Sequence, residues 1–280
     1  MIDAHFHLWQ LARADYGWIT PELVPLYRDF AVADYSDAIG DLAVEQAILV
    51  QCAPTEAETD FLLGITQAAS AAGNRATIAG VVGWTDFEAP DAADRIAGLS
   101  QREHLLGLRP MIQNIADPDW MLKESLRPAF ASMIENDLCF DALVLPRHLS
   151  NLRIVLDRYP ELTVVVDHGA KPLILAGQLE PWCSQMIEIG KKENVFCKFS
   201  GLVTEIGADW NVAALQPWVD ALIEAFGVER LIWGSDWPVV NMVADYQSWF
   251  ACAQTLTEAL GPEAQDSIFG LNAKRCYGLQ

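Results

Sequence analysis

The chain has 280 residues, 52% hydrophobic, 20% charged and 10% aromatic, with 18 Lys and Arg against 38 Asp and Glu for a formal charge of −20. There is ample apolar material for a large core, no disordered composition, and a negative balance that argues against nucleic acid and anionic membranes as partners. The six cysteines form no CxxC pair, no apolar run approaches the roughly 20 residues that span a bilayer, and the first residues lack a signal-peptide pattern. These features lead to the expectation of a cytoplasmic protein in a reducing compartment, folded as one domain over residues 1–280, with a homo-oligomer left open.

Short β-rich runs recur in order: IDAHFHL (2–8), QAILVQC (46–52), TIAGVVGW (77–84), LLGLRPMI (105–112), CFDALVL (139–145), LTVVVDH (162–168), NVFCKFS (194–200) and RLIWGSD (230–236). Most have continuous Val, Ile, Leu and Ala cores, as strands covered on both faces do. Between them the periodicity predicts helices over 56–72, 92–101, 123–136, 149–159, 180–192 and 210–226. Eight alternating βα units in about 250 residues predict an α/β (β/α)8 barrel. A doubly wound sheet usually shows a glycine-rich turn after its first strand. Here the first strand runs into HFHLW.

A barrel places its chemistry at the C-terminal ends of its strands. His5 and His7 are two apart on the first strand, so both should face the mouth while Phe6 faces the helices. Later strands bring Arg109, then Arg147 and His148, then Asp167 and His168. Lys198, Ser200, Thr204 and Glu205 follow, and Asp236 comes last. His5, His7, His168 and Asp236 should converge from three strands. Imidazoles and a carboxylate suit zinc or a similar divalent ion, and without metal they can still polarise a carbonyl and activate water. Taken singly, each motif has a structural reading: HxH as incidental, DH as a hydrogen-bonded turn, GSDWP as a tight turn with a capping aspartate. Their joint placement at strand ends favours the functional one. His104 reads as loop, and Lys191 and Lys192 as a solvated helix end.

The ordered set IDAHFHLW, GLRPMIQ, LPRHL, VVVDHGAKP, VFCKFSGLVTE, GSDWPV and FGLNAKRCYGL resembles the sugar-lactonase-like branch of the amidohydrolase superfamily, essentially end to end. That branch includes L-fuconolactone and L-rhamnonolactone hydrolases and 2-pyrone-4,6-dicarboxylate lactonases. The resemblance implies a (β/α)8 barrel, the paired histidines at His5 and His7, the later histidine at His168, the last-strand aspartate at Asp236, and a substrate-contacting arginine at Arg109. Many superfamily members bridge two metals with a carboxylated lysine. No lysine here lies at the end of the fourth or fifth strand, so the expectation is one divalent metal, zinc or similar, or none.

The expected reaction is hydrolysis of a lactone, a cyclic ester. Asp236 would take the proton of water and return it to the ring oxygen. His5, His7 and His168 would polarise the carbonyl. Arg109, Arg147, His148 and Trp237 are the expected substrate contacts, with Trp9, Trp18, Trp84 and Tyr35 as further stacking candidates. The acidic composition tilts the reading toward a neutral sugar aldonolactone, such as an L-fucono, L-galactono or L-rhamnono lactone. The alternatives are a dicarboxylate lactonase and a metal-dependent decarboxylase or hydratase.

Overall fold

The eight strands of a computed structural model are β1 (Ile2–Phe6), β2 (Gln46–Val50), β3 (Thr77–Gly83), β4 (Leu105–Leu108), β5 (Cys139–Ala142), β6 (Val164–Val166), β7 (Val195–Phe199) and β8 (Leu231–Trp233). The structure describes residues 1–70 and 75–280. Each strand pairs in parallel with the next in chain order. The seam between β8 and β1 is closed by a parallel bridge from Phe6 to Trp237 and by two bonds, Asp236 N to His5 O at 2.8 Å and His7 N to Trp237 O at 2.7 Å. The eight parallel strands and surrounding helices make the expected (β/α)8 barrel.

The helices are α1 (Val32–Ile39), α2 (Glu56–Ser70), α3 (Ala92–Ser100), α4 (Arg127–Glu135), α5 (Leu149–Arg158), α6 (Trp182–Gly190), α7 (Leu202–Ile206), α8 (Val212–Phe226), α9 (Tyr246–Thr257), α10 (Pro262–Asp266) and α11 (Asn272–Tyr277). Ala71 and Ala72, the end of the helix expected over 56–72, lie outside the described residues. The helix expected over 123–136 begins as a 3-10 turn and becomes regular only from Arg127, with Pro128 in its first turn. Helix α8 shows how the outer layer is held. Asn211 Oδ1 accepts from Ala214 N at 3.0 Å, and Leu215, Trp218, Val219, Leu222 and Phe226 bury one face. Each such side chain contributes about 1.5–3 kcal/mol by leaving water.

The barrel interior is a separate apolar cluster. Ile2, Ala4, Ile48, Val50, Val82, Val165, Phe196 and Ile232 meet there, and α11 adds Ala273, Cys276 and Tyr277. All six cysteines are free and buried. No helix of the described residues is long and apolar enough to cross a membrane.

Strands stop short of their expected ends, most clearly β4 at Leu108 and β8 at Trp233. The residues beyond are polar and leave the ladder to form the mouth. A register shift between Asp3 and Phe6 also breaks the alternation of β1. As a result Asp3 reaches the tyrosines of α1 and α9, whereas His5 faces the mouth.

Candidate active site

Four polar side chains meet at the mouth. His5 Nε2 lies 3.2 Å from His7 Nε2, and Asp236 Oδ1 lies 3.7 Å from His5 Nε2, 3.4 Å from His7 Nε2 and 3.9 Å from His168 Nε2. His5, His168 and Asp236 each offer one donor atom within 4.8 Å of the others. His7 Nδ1 is 2.7 Å from Val50 O, a carbonyl that only accepts. This bond fixes the Nδ1–H tautomer and leaves Nε2 toward His5 and Asp236. Burial, reinforced by Lys198, holds His5 well below its ordinary pKa of 6.5, against the opposing pull of Asp167. Burial likewise lowers His168 to about 4, against Asp236 and Asp167. For Asp236 burial acts to raise the pKa, but His168, His7 and His5 around it outweigh that and hold the carboxyl below its ordinary range. Imidazole nitrogens converging on an ionised carboxylate form a donor set that fits a divalent cation.

A buried charge network lies behind the ring. Arg109 Nη1 is 3.3 Å from His5 Nε2 and donates to Asp167 Oδ2 at 3.1 Å, while Nη2 donates to the Gln51 carbonyl. Gln51 Nε2 donates back to Arg109 O at 2.5 Å. Asp167 Oδ1 faces His5 Nδ1 at 3.6 Å and Lys198 Nζ at 3.1 Å. Lys198 Nζ also donates to Asp141 Oδ2 at 2.5 Å, and Tyr277 Oη donates to both Asp141 oxygens at 2.9 and 3.1 Å. Burial raises Asp141 to about 6 despite Lys198, whereas Lys198, His5 and Arg109 overcome burial to keep Asp167 well below its ordinary value. Of the two carboxylates sharing one ammonium, Asp167 is the more acidic. Lys198 itself is raised, because Asp141 and Asp167 outweigh its burial.

The backbone is shaped to present these groups. His168, Gly169, Ala170 and Lys171 have φ of 53°, 57°, 60° and 51°, a complete left-handed turn. For L-residues this costs roughly 1–2 kcal/mol each, so a run of it must be held by its surroundings. Trp182 Nε1 donates to Gly169 O at 2.7 Å, and His168 Nδ1 is 2.8 Å from Ser200 Oγ. Asp236 is also left-handed, at φ 56°. Two glycines give the rings room: a Cβ on Gly201 would stand 2.7 Å from His168 Nδ1, and one on Gly234 would stand 2.6 Å from His5 Cβ.

The ring opens into a cavity of about 200 Å³ lined by His7, Trp18, Cys52, Arg109, Met111, Gln113, Asn114, Leu143, His168, Lys171, Asp236 and Val239. This is below the ~300–1,000 Å³ usual for drug-sized ligands and suits a single small ring. Three expected substrate contacts lie outside its lining. Arg147 is exposed and donates to Gln113 O at 3.0 Å. His148 is buried and turned back, its Nδ1 accepting from Leu145 N at 3.1 Å, because Pro146 starts a 3-10 turn there. Trp237 packs edge-on to Phe30 and against Tyr35, and borders a separate depression of about 630 Å³ beside Arg28, Asp34 and Asp245. Among the other aromatic candidates Trp18 lines the cavity, while Trp9 and Tyr35 are core residues and Trp84 is half-buried.

The sequence reading gave no role to Asp3, Gln51, Asp141, Tyr277 or Lys171. Asp3 Oδ2 accepts from Tyr35 Oη at 2.9 Å and Tyr246 Oη at 3.1 Å, and Oδ1 accepts from Ser235 N at 2.8 Å. Asp141 and Lys198 are charges of opposite sign inside two apolar strand runs, a signal available in the sequence. Cys52, on the cavity wall, donates its thiol hydrogen to Glu58 Oε1 at 3.1 Å, and burial and then Glu58 push the thiol well above its ordinary value.

Across its length the chain is 42% identical to an L-fucono-1,5-lactonase of Burkholderia ambifaria, covering 99% of this chain and 94% of that one. It is 32% identical to an L-fucono-1,5-lactonase of Burkholderia multivorans, covering 99% and 96%. A crystal structure of an amidohydrolase from B. multivorans with bound Zn superposes with a TM-score of 0.91 at 32% identity, over 100% of this chain and 99% of that one. Residues 2–279 match the amidohydrolase family model. The barrel, the histidines at its mouth and these likenesses agree: the chain belongs to the amidohydrolase family.

Proposed function

We propose that this chain hydrolyses a sugar aldonolactone, with L-fucono-1,5-lactone as the first substrate to test. The observation that carries the reading is the meeting of three imidazoles and an ionised Asp236 at a one-ring cavity, in a chain 42% identical to an L-fucono-1,5-lactonase. Two cations line the cavity, and Arg109 is already engaged by Asp167. That supply favours a neutral lactone over a dicarboxylate.

Asp236 accepts the proton of the attacking water as the C–OH bond forms at the carbonyl. When the ring C–O bond breaks, the leaving alkoxide takes that proton back. A carboxyl held below its ordinary range is a weak base but a strong acid once protonated, so the return step is favoured and the first step needs help. His5, His7 and His168 surround the position where that help is required. His5, His168 and Asp236, with His7 beside them, are the residues that would hold one divalent ion. Such an ion, when bound, supplies Lewis acidity to the carbonyl and acidity to water. A second ion bridged by a lysine carbamate is disfavoured, because two carboxylates keep Lys198 protonated.

The test is a pH-indicator screen of aldonolactones with the spontaneous rate subtracted, run with and without chelator, beside metal analysis of the protein. L-Fucono-1,5-lactone should open well above background. If no lactone does, the reading is wrong. Loss of activity on chelation with recovery on adding zinc supports the single ion. Full activity in metal-free protein removes the ion and leaves the lactone.

A further inference from the structure

We propose that Lys171 is a catalytic residue, its ammonium meeting the negative charge that grows on the substrate as the ester is attacked; this rests on the lactonase reading. Lys171 and His168 stand three residues apart on the left-handed turn, and both line the cavity. A right-handed or extended backbone would separate them differently, so the strained turn is what delivers the pair together. The neighbouring cation, Arg109, donates to Asp167 and to the Gln51 carbonyl. The Lys171 ammonium makes no hydrogen bond and no close ion pair among the described residues, and the carboxylate that feels its charge is Glu205. It is half-buried, beside a cavity walled partly by Met111, Leu143 and Val239.

An ammonium without a contact partner at an apolar-walled cavity is free to take one from the ligand. A neutral lactone brings no charge in its ground state. Negative charge appears on the carbonyl oxygen in the tetrahedral state and passes toward the ring oxygen, which takes the proton from Asp236; the carboxylic acid so formed then releases its own proton to water and leaves the charge on the carboxylate of the aldonate. An interaction absent from the ground state raises kcat and leaves KM nearly unchanged. Lys171 should therefore discriminate between lactone and product as well as accelerate the step.

Lys171→Met and Lys171→Arg are compared with wild type on L-fucono-1,5-lactone. The expected result for Lys171→Met is a fall in kcat of about 10²–10³-fold with KM within about threefold, and partial rescue by Lys171→Arg. By calorimetry, L-fuconate should bind Lys171→Met at least about tenfold more weakly, while neutral L-fucose binds both proteins alike. Circular dichroism and melting checks that the variants are folded. A rise in KM at constant kcat, or no change in either, overturns the proposal. So does equal binding of L-fuconate by both proteins, or by neither. If wild type opens no lactone, the lactonase reading fails, while the binding comparison still reports on Lys171.

Discussion

Inside the barrel, Lys198 sits between Asp141 and Asp167 at 2.5 and 3.1 Å, and the Tyr277 hydroxyl donates to Asp141 between its two oxygens. At the mouth, His5, His7, His168 and Asp236 turn lone pairs and negative charge toward one another at 3.2–3.9 Å. The two layers use the same kinds of residue and differ in partnering. The lower layer satisfies its charges within the protein. The upper layer leaves acceptors facing a space that something from outside must fill. The difference teaches that burial alone does not mark function here. Incomplete partnering does, and the lower layer holds Asp167 and Arg109 so that the upper one can stay incomplete.

Substitutions in the two layers should therefore separate activity from stability. Asp236→Asn should lower kcat/KM for lactone by at least about 10²–10⁴-fold. Asparagine tolerates the left-handed φ of 56°, so the melting temperature should hardly move. Near wild-type turnover would remove Asp236 from the mechanism. Lys198→Met should do the reverse in thermodynamic terms, destabilising by about 3–5 kcal/mol by stranding two buried carboxylates. Denaturant unfolding reads this directly, and an unchanged midpoint would show that the lower layer is not held by charge.

The smallest effect concerns Glu58, buried against Cys52 of the cavity wall. Its carboxylate accepts from Ala53 N at 2.7 Å and from Cys52 N at 3.1 Å. Burial nevertheless raises it from 4.5 to about 7, against those hydrogen bonds. Between these values the folded chain holds a proton that the unfolded chain has lost. Its contribution to stability is fully present below pH 4.5 and is lost as pH rises through about 7, by about 3 kcal/mol in all. Glu58→Gln should flatten that part of the stability profile measured by denaturant titration at several pH values. An identical slope in the variant would place the proton elsewhere.

The sequence reached the barrel through eight apolar runs, and the facing of His5 and His7 through the period of two. The register shift between Asp3 and Phe6 leaves no trace in that period, so Asp3 could not be assigned to the tyrosines of α1 and α9. Arg147, His148 and Trp237 were placed by proximity to strand ends. Side-chain direction there depends on the Pro146 turn and on packing against Phe30 and Tyr35, which only tertiary structure decides. Lys171 was visible in VVVDHGAKP, but its delivery beside His168 needs a left-handed turn that no propensity of His, Ala or Lys foretells. Asp141 and Lys198 were legible as isolated charges in apolar strands, and their pairing required knowing that β5 and β7, on either side of β6, turn these side chains into the same layer of the interior.

Gly201 and Gly234 carry no chemistry, yet each stands directly against a histidine that does. A single added methyl meets the His168 imidazole at 2.7 Å from Gly201 and the Cβ of His5 at 2.6 Å from Gly234. The mutational target of this site is therefore wider than its polar residues. It extends to two positions that a scan of charged and hydrogen-bonding groups passes over, where the smallest change a side chain allows displaces a ring from the far side while every polar group survives intact.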